Sequence, residues 1–246
     1  MTGPAFLGLL LLAADPVPPT LRWFGQSMFQ LTTAAGKRVV FDPHAIPEFG
    51  PPRVEADILL LSHRHTDHTQ LKAIVEPKAA RLFHGLKEPV AGRPADWNPA
   101  DEAVGAVRVR AVPLFHDADG GMVRGKNTAW VVTADGLTVC HLGDLGHELT
   151  ARQAALVGPV DVLLVPVGGI YTVNGEVARR VVEQLKPKRL VVPMHYGLPG
   201  VYDELLPADE FLDGLPRVRR TPDTNAVPVP AAAPAGGFEV VVPGWK

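Results

Sequence analysis

From Leu21 onward, short apolar runs alternate with polar turns bearing Gly or Pro. Leu21–Phe24, Met28–Leu31 and Arg38–Phe41 predict three short strands, the last two joined by an Ala-Ala-Gly-Lys turn. Asp57–Leu61 is continuously apolar after its first residue, the mark of a strand buried on both faces. A His-rich loop follows, and then a predicted helix with Leu71, Ile74 and Val75 on one face. Further strands are predicted at Ala80–Phe83, Val107–Val112, Thr128–Thr133, Leu137–Leu142, Asp161–Val165 and Arg189–Val192, with a hairpin turn at Ala134-Asp135-Gly136. Thr150-x-x-Gln153 has the spacing of a helix capping box. Glu176–Lys186 carries Val177, Val181, Val182 and Leu185 on one stripe, and Pro187 ends it. Residues 221–237, rich in Pro, Ala, Thr and Gly, read as a flexible insertion ahead of a closing strand at Phe238–Val242. Strands and helices alternate through 20–246 with no repeat and no linker, which predicts one α/β (α+β) domain.

Composition removes several classes. A formal charge of −2 over 246 residues gives no field for nucleic acid or an anionic membrane. The densest basic cluster, Arg217, Arg219 and Arg220, reads as a solvated segment. The single cysteine, Cys140, excludes an internal disulfide and a Cys-based zinc knuckle, and its apolar neighbours predict a core residue. The ten-residue run Ala5–Ala14 is too short to span a bilayer. It fits the apolar region of a secretory signal peptide, although no Lys or Arg precedes it; residues 1–19 are expected to be such a peptide or an N-terminal extension. Export to the periplasm or medium follows from the first reading, a cytoplasmic location from the second.

The chemistry concentrates in Ser62-His63-Arg64-His65-Thr66-Asp67-His68. This H-x-H-x-D-H run begins where a buried strand ends, the usual place for a site in an α/β protein. In an extended loop, residues two apart point the same way, so His63 and His65 can share one ion. Asp67 and His68, at the following turn, can serve a second. Imidazole and carboxylate donors suit zinc, and also manganese or ferrous iron. Four ligands cannot complete two coordination shells, and three more candidates stand at strand ends: His116 after Val107–Leu114, Asp144 after Leu137–Leu142, and His195 after Leu190–Val192. His84 and His141 read as structural histidines, while His44 and His147 are candidates for the rim.

With those residues in place the chain resembles the metallo-β-lactamase-fold hydrolases, whose ligand pattern is H-x-H-x-D-H, a later His, a Gly-Asp and a final His. Leu21-Arg-Trp-Phe-Gly-Gln-Ser-Met-Phe-Gln-Leu, Val40-Phe-Asp-Pro, Cys140-His-Leu-Gly-Asp-Leu-Gly, Val165-Pro-Val-Gly-Gly and Val192-Pro-Met-His-Tyr-Gly are similar to the branch of ascorbate-6-phosphate lactonase-like and N-acylphosphatidylethanolamine phospholipase D-like proteins. The resemblance implies a four-layer αβ/βα sandwich with metals at one edge. It implies that His63, His65 and His116 hold one metal ion, that Asp67, His68 and His195 hold another, and that Asp144 bridges the two. Asp42 would brace the His loop from behind. The branch usually has Gly-His-Ser where this chain has Gly25-Gln26-Ser27.

Two divalent ions, zinc first and manganese or iron as alternatives, would supply a metal-bridging hydroxide as nucleophile. Asp67 would orient it or accept its proton, and Asp144 would hold the two ions together. The expected substrate is an ester, lactone or phosphodiester in a small molecule or lipid head group. Tyr171, Tyr196 and His147 are candidate substrate contacts, as are Arg124, Lys126 and Asn127 after the Gly120-Gly121 turn. Two other readings stay open: an iron-dependent oxidoreductase of the persulfide-dioxygenase kind on the same fold, and a binding protein whose metals are structural.

Overall fold

The computed structural model describes residues 17–245, so the apolar run Ala5–Ala14 lies outside the described residues. Strands β1 (Thr20–Trp23), β2 (Phe29–Thr32) and β3 (Arg38–Phe41) form an antiparallel meander. After the two-residue β4 (Val54–Glu55), strand β5 (Ile58–Leu61) lies parallel to β3. Strand β5 is apolar on both faces for a physical reason. Ile58 and Leu60 join the central core, whereas Leu59 packs with Met28, Val40, Ala73 and Ile74 on the outer side.

The predicted helix at Leu71 is not an α-helix. Leu71–Ala73 is one 3-10 turn, and Ile74–Val75 forms β6, parallel to β4. Two adjacent β-branched residues favour extended backbone, Glu76 is left-handed (φ 49°), and Pro77 follows. Too few residues remain to close a second helical turn. The outer face of this sheet is therefore covered by 3-10 turns and the β4–β6 ribbon. Strand β7 (Arg81–His84) completes the sheet on one side, parallel to β5.

The second sheet takes β8 (Asp101–Val104), β9 (Val107–Phe115), β10 (Lys126–Ala134) and β11 (Leu137–His141) as antiparallel neighbours. Helix α1 (Ala151–Val157) starts at the expected capping box. Thr150 Oγ1 accepts from Gln153 N at 3.2 Å, and Gln153 Oε1 accepts from Thr150 N at 2.9 Å. Strand β12 (Val162–Pro166), helix α2 (Gly175–Leu185) and strand β13 (Leu190–Met194) continue as a parallel crossover unit. Asn174 caps α2 by accepting from Val177 N at 3.1 Å, and left-handed Lys186 ends it just before Pro187.

After α3 (Asp209–Leu212), strand β14 (Val218–Thr221) forms the edge, and β16 (Glu239–Pro243) lies between β14 and β13. The Arg217–Arg220 stretch is thus mostly an edge strand, with Arg219 paired to Glu239 at 2.8 Å. Between them β15 (Ala226–Pro228) crosses to the first sheet and pairs antiparallel with β1. Part of the Pro- and Ala-rich 221–237 segment is therefore a sheet edge, where a strand bearing Pro is tolerated.

The sheet orders are β15-β1-β2-β3-β5-β7 and β14-β16-β13-β12-β11-β10-β9-β8. Their inner faces share one core, from Trp23, Phe29 and Phe41 on one side to Trp130, Leu164 and Val192 on the other. Cys140 is buried on the other, helix-covered face of β11, and burial pushes its thiol up to about 12. Among the described residues no helix is long and apolar enough to cross a membrane.

This topology sets the site. Strands β11, β12 and β13 are parallel, and β9 runs the same way because β10 is antiparallel to both β9 and β11. The C-terminal ends of β9, β11 and β13 therefore share one edge, as do those of β3 and β5 in the facing sheet. Close backbone approach holds that edge together. Gly168 N donates to His195 O at 3.1 Å, and a Cβ at Gly168 would overlap that same oxygen. Gly168→Ala is expected to cost about 1–3 kcal/mol by displacing the chain at His195. Chemical unfolding with parallel metal analysis should show a lower midpoint together with reduced bound metal.

Candidate metal centre

The His loop leaves β5 through Ser62, and His63, His65, Asp67 and His68 follow within one extended stretch and a single 3-10 turn (Thr66–His68). The resulting geometry centres on one atom. Asp144 Oδ2 lies 3.2 Å from His68 Nε2, 3.2 Å from His195 Nε2, 3.3 Å from His116 Nε2 and 3.8 Å from His63 Nε2. His65 Nδ1 is 3.1 Å from His63 Nε2. For metal–nitrogen bonds of about 2.0–2.1 Å, the edge of a tetrahedron is about 3.4 Å, so these separations are those of donors around a shared cation. Three groupings of donor atoms emerge: His63, His65, His116 and Asp144; Asp67, His68 and His195; and Asp42, His63 and His68, in which Asp42 meets the Nδ1 side of His68. All seven residues singled out from the sequence are brought together.

Electrostatics point the same way. Burial pushes the His63 and His65 imidazoles below their ordinary value, which favours the neutral ring with one nitrogen lone pair free. Burial also disfavours charge on His68, but Asp144 and Asp42 on its two sides outweigh it and hold its pKa well above the usual range. Burial favours the protonated form of Asp144, yet His195 and His68 hold the carboxyl well below the carboxylate range. A positive charge between Asp144 and Asp42 is thus what this site favours, and a dication supplies it more fully than a proton.

A tier of hydrogen bonds fixes the His63 and His68 rings, whereas the buried Nδ1 atoms of His116 and His195 have no hydrogen-bond partner among the described residues. Asp42, fully buried, accepts from Ser62 N at 2.7 Å, from Ser62 Oγ at 2.6 Å and from His68 Nδ1 at 3.0 Å. Because the Ser62 proton goes to Asp42, its oxygen accepts from His63 Nδ1 at 2.9 Å. His63 is left with Nε2 unprotonated and aimed at the centre, and a cation that displaced the proton His68 shares with Asp144 would leave His68 Nε2 so as well. Asp144 Oδ1 accepts from Ser27 Oγ at 3.3 Å, and its backbone N donates to Asn127 Oδ1 at 3.2 Å. Gln26, at the position where the resembling branch has His, accepts from Ser27 N through Oε1 and donates from Nε2 to Asp67 Oδ2 at 3.0 Å. Gln26, Asp42 and His195 all take left-handed backbone (φ 49°, 42° and 52°), local strain gathered at the centre.

Several expected contacts belong elsewhere. Asn127 is fully buried and donates to Leu142 O at 2.8 Å, so it braces the Asp144 turn and does not face a substrate. Lys126 pairs with Asp96 at 2.8 Å and lies over the Trp97 ring. Tyr196 is buried and stacked on Trp23, with ring centroids 5.4 Å apart. Both His147 nitrogens are engaged by backbone, Nε2 accepting from Phe115 N and Nδ1 donating to Glu148 O. His44 is buried as well, donating to Phe24 O and accepting from Ile46 N, and burial lowers its pKa to about 4. His141, as expected, is structural: it donates to Ser27 O at 2.8 Å and accepts from Gly143 N at 3.0 Å. Arg124 and Tyr171 do reach the site. They line a cavity of about 230 Å³ with His65, Asp67, His116, Asp144 and His195.

An open, two-sheet α/β edge with this donor set defines the class of metal-dependent hydrolases of the metallo-β-lactamase fold. Residues 20–195 match the family described as β-lactamase superfamily domain, and the chain belongs to that family. It is 30% identical over 229 residues to a UPF0173 metal-dependent hydrolase of Methanoculleus marisnigri, covering 89% of this chain and 96% of that protein. A UPF0173 metal-dependent hydrolase of Thermococcus onnurineus is 29% identical over 194 residues, covering 72% and 84%. Among solved structures, a Thermotoga maritima protein assigned as a Zn-dependent hydrolase of the metallo-β-lactamase superfamily superposes with a TM-score of 0.68. It shares 33% identity, and the match covers 92% of this chain and 98% of that one.

The buried Asp42 offers a test of the bracing tier. Asp42→Asn keeps the volume but removes the charge facing His68. It is expected to weaken metal binding about 10- to 100-fold in chelator competition, with the circular dichroism spectrum unchanged.

Proposed function

We propose that the chain is a dinuclear hydrolase that cleaves an ester, lactone or phosphodiester bond in a small molecule or lipid head group. The observation that carries this reading is the convergence of four imidazole Nε2 atoms on the single oxygen Asp144 Oδ2, within 3.2–3.8 Å. His63, His65 and His116 would hold one ion and Asp67, His68 and His195 the other, with Asp144 within reach of both sets. Zinc fits this donor set best, and manganese or iron fits it as well. When bound, two such ions make water acidic enough to attack near neutral pH and stabilise the oxyanion that develops.

The protein's own groups do the rest. Asp67 is the only partly exposed carboxylate in the set, and the Gln26 amide on Oδ2 fixes its orientation. It is thereby placed to accept a proton from the attacking water and to return it to the leaving oxygen. Asp42 and Ser62 keep the His63 and His68 rings in the ligating tautomer throughout. The cavity is small, which suits a compact electrophile, and Arg124 and Tyr171 stand at its wall.

The test is turnover by zinc- or manganese-loaded protein of a lactone panel and of bis-nitrophenyl phosphate, with a chelated control. Chelator-sensitive hydrolysis of either is expected. Asp144→Ala should lose nearly all of it while staying folded, and His84→Ala should keep both metal and activity. Inactivity towards both substrate groups, with oxygen uptake on a persulfide, would contradict the hydrolase reading.

A further inference from the structure

Between β9 and β10 the chain makes a tight excursion that starts at His116 and returns at Gly125, where His116 N donates to Gly125 O at 2.9 Å. Its centre is the Asp117 carboxylate. Oδ1 accepts from the backbone N of Asp119 at 2.9 Å and of Gly121 at 2.8 Å, while Oδ2 accepts from Val123 N at 3.0 Å and Arg124 N at 2.6 Å. Four amides bound to one buried carboxylate leave this loop little freedom. Arg124, at its end, is therefore delivered to a fixed place one residue before the chain rejoins His116.

The side chain is held as firmly. The guanidinium carbon lies 4.8 Å from the Tyr171 ring centroid, and Nη2 donates to Ile170 O at 3.0 Å. Arg38, Arg108, Arg180 and Arg219 each pair with a carboxylate. Arg124 has no such partner among the described residues, although it is half-buried. A guanidinium offers five N–H donors in a rigid fork, and here most of them are unused beside the candidate metal ligands. Two dications against the carboxylates of Asp67 and Asp144 already leave this cavity positive. Arg124 adds to that excess where a paired arginine would not.

We infer that Arg124 is a specificity-determining residue that binds an oxyanion, carboxylate or phosphate, carried by the substrate beside the bond that is cleaved. The inference rests on the dinuclear hydrolase reading and narrows its substrates to anionic ones. The planar fork stacked on Tyr171 matches an oxyanion in two-point contact, so Lys at this position supplies charge without the geometry.

The experiment uses zinc-loaded wild type, Arg124→Gln and Arg124→Lys, with zinc content and thermal midpoint measured on each. Calorimetric titration with inorganic phosphate and with succinate reads binding without any turnover. Arg124→Gln is expected to weaken at least one of them about tenfold or more, with Arg124→Lys in between, at unchanged zinc content and midpoint. The probe more affected tells phosphate from carboxylate. For turnover, a lactone bearing a carboxylate is compared with its methyl ester. Arg124→Gln should raise KM for the charged member about tenfold with kcat little changed, and leave the neutral member within twofold. Equal affinity for both probes in wild type and Arg124→Gln, or no measurable binding of either by the wild type, overturns the inference even if lactones are hydrolysed. Equal loss on the charged and neutral lactones also overturns it, because a purely structural arginine would act that way. If neither a lactone nor bis-nitrophenyl phosphate is turned over, the hydrolase reading fails, while the titrations still decide whether Arg124 binds an oxyanion.

Discussion

Four imidazole nitrogens that face one carboxylate oxygen within 3.2–3.8 Å, in the buried edge between two sheets, are a constraint that little else in the chain escapes. Lone pairs do not converge in a low-dielectric pocket unless a positive charge lies between them. A proton on His68 meets that demand only in part, since it serves Asp144 and Asp42 but leaves His63, His116 and His195 unanswered. The surroundings are arranged so that two of the rings and both acids are held in place. Asp42 and Ser62 hold the His63 and His68 rings from behind, Ser27 and Asn127 hold Asp144, and Gln26 holds Asp67. Left-handed backbone at Gln26, Asp42 and His195 is the local cost, offset by a core that runs continuously through both sheets.

The parallel strands explain why this edge and not another. Strands β3 and β5 of one sheet, and β9, β11 and β13 of the other, all point their C-terminal ends towards it. The turn after β5 carries His63, His65, Asp67 and His68, and those after β3, β9, β11 and β13 carry Asp42, His116, Asp144 and His195. Glycines let those turns approach: a Cβ at Gly143 would meet Asn127 and Ser62, and one at Gly146 would meet the backbone of His116 and Asp117. Fold and chemistry are thus coupled through the same few turns.

Much of this is legible in the residues alone, because ligands must be His or Asp and strand ends are marked by where apolar runs stop. His63, His65, Asp67, His68, His116, Asp144 and His195 carry both signals, and Asp42 carries the second through Val40-Phe-Asp-Pro. Asn127 carried the wrong one. An Asn after a Gly-rich turn looks solvent-facing, and only the sheet pairing of β10 with β9 and β11 puts it beneath Asp144. Ser27 and Ser62 give no signal by residue type, since their roles depend on which proton goes where across the sheet interface. Leu71, Ile74 and Val75 have helical spacing as well as β-branched residues, and Pro77 decides between them. The β15 strand hides in a composition that reads as loop, since an edge strand needs few apolar residues of its own.

The central claim is that this edge holds two metal ions with Asp144 between them. Crystals of unchelated protein measured by anomalous diffraction above the metal absorption edge test it most directly. Two peaks are expected about 3.5–4 Å apart, one beside His63, His65 and His116 and the other beside Asp67, His68 and His195, with Asp144 touching both. A single peak at full occupancy in protein saturated with metal, with Asp144 bound on one side only, would contradict the account.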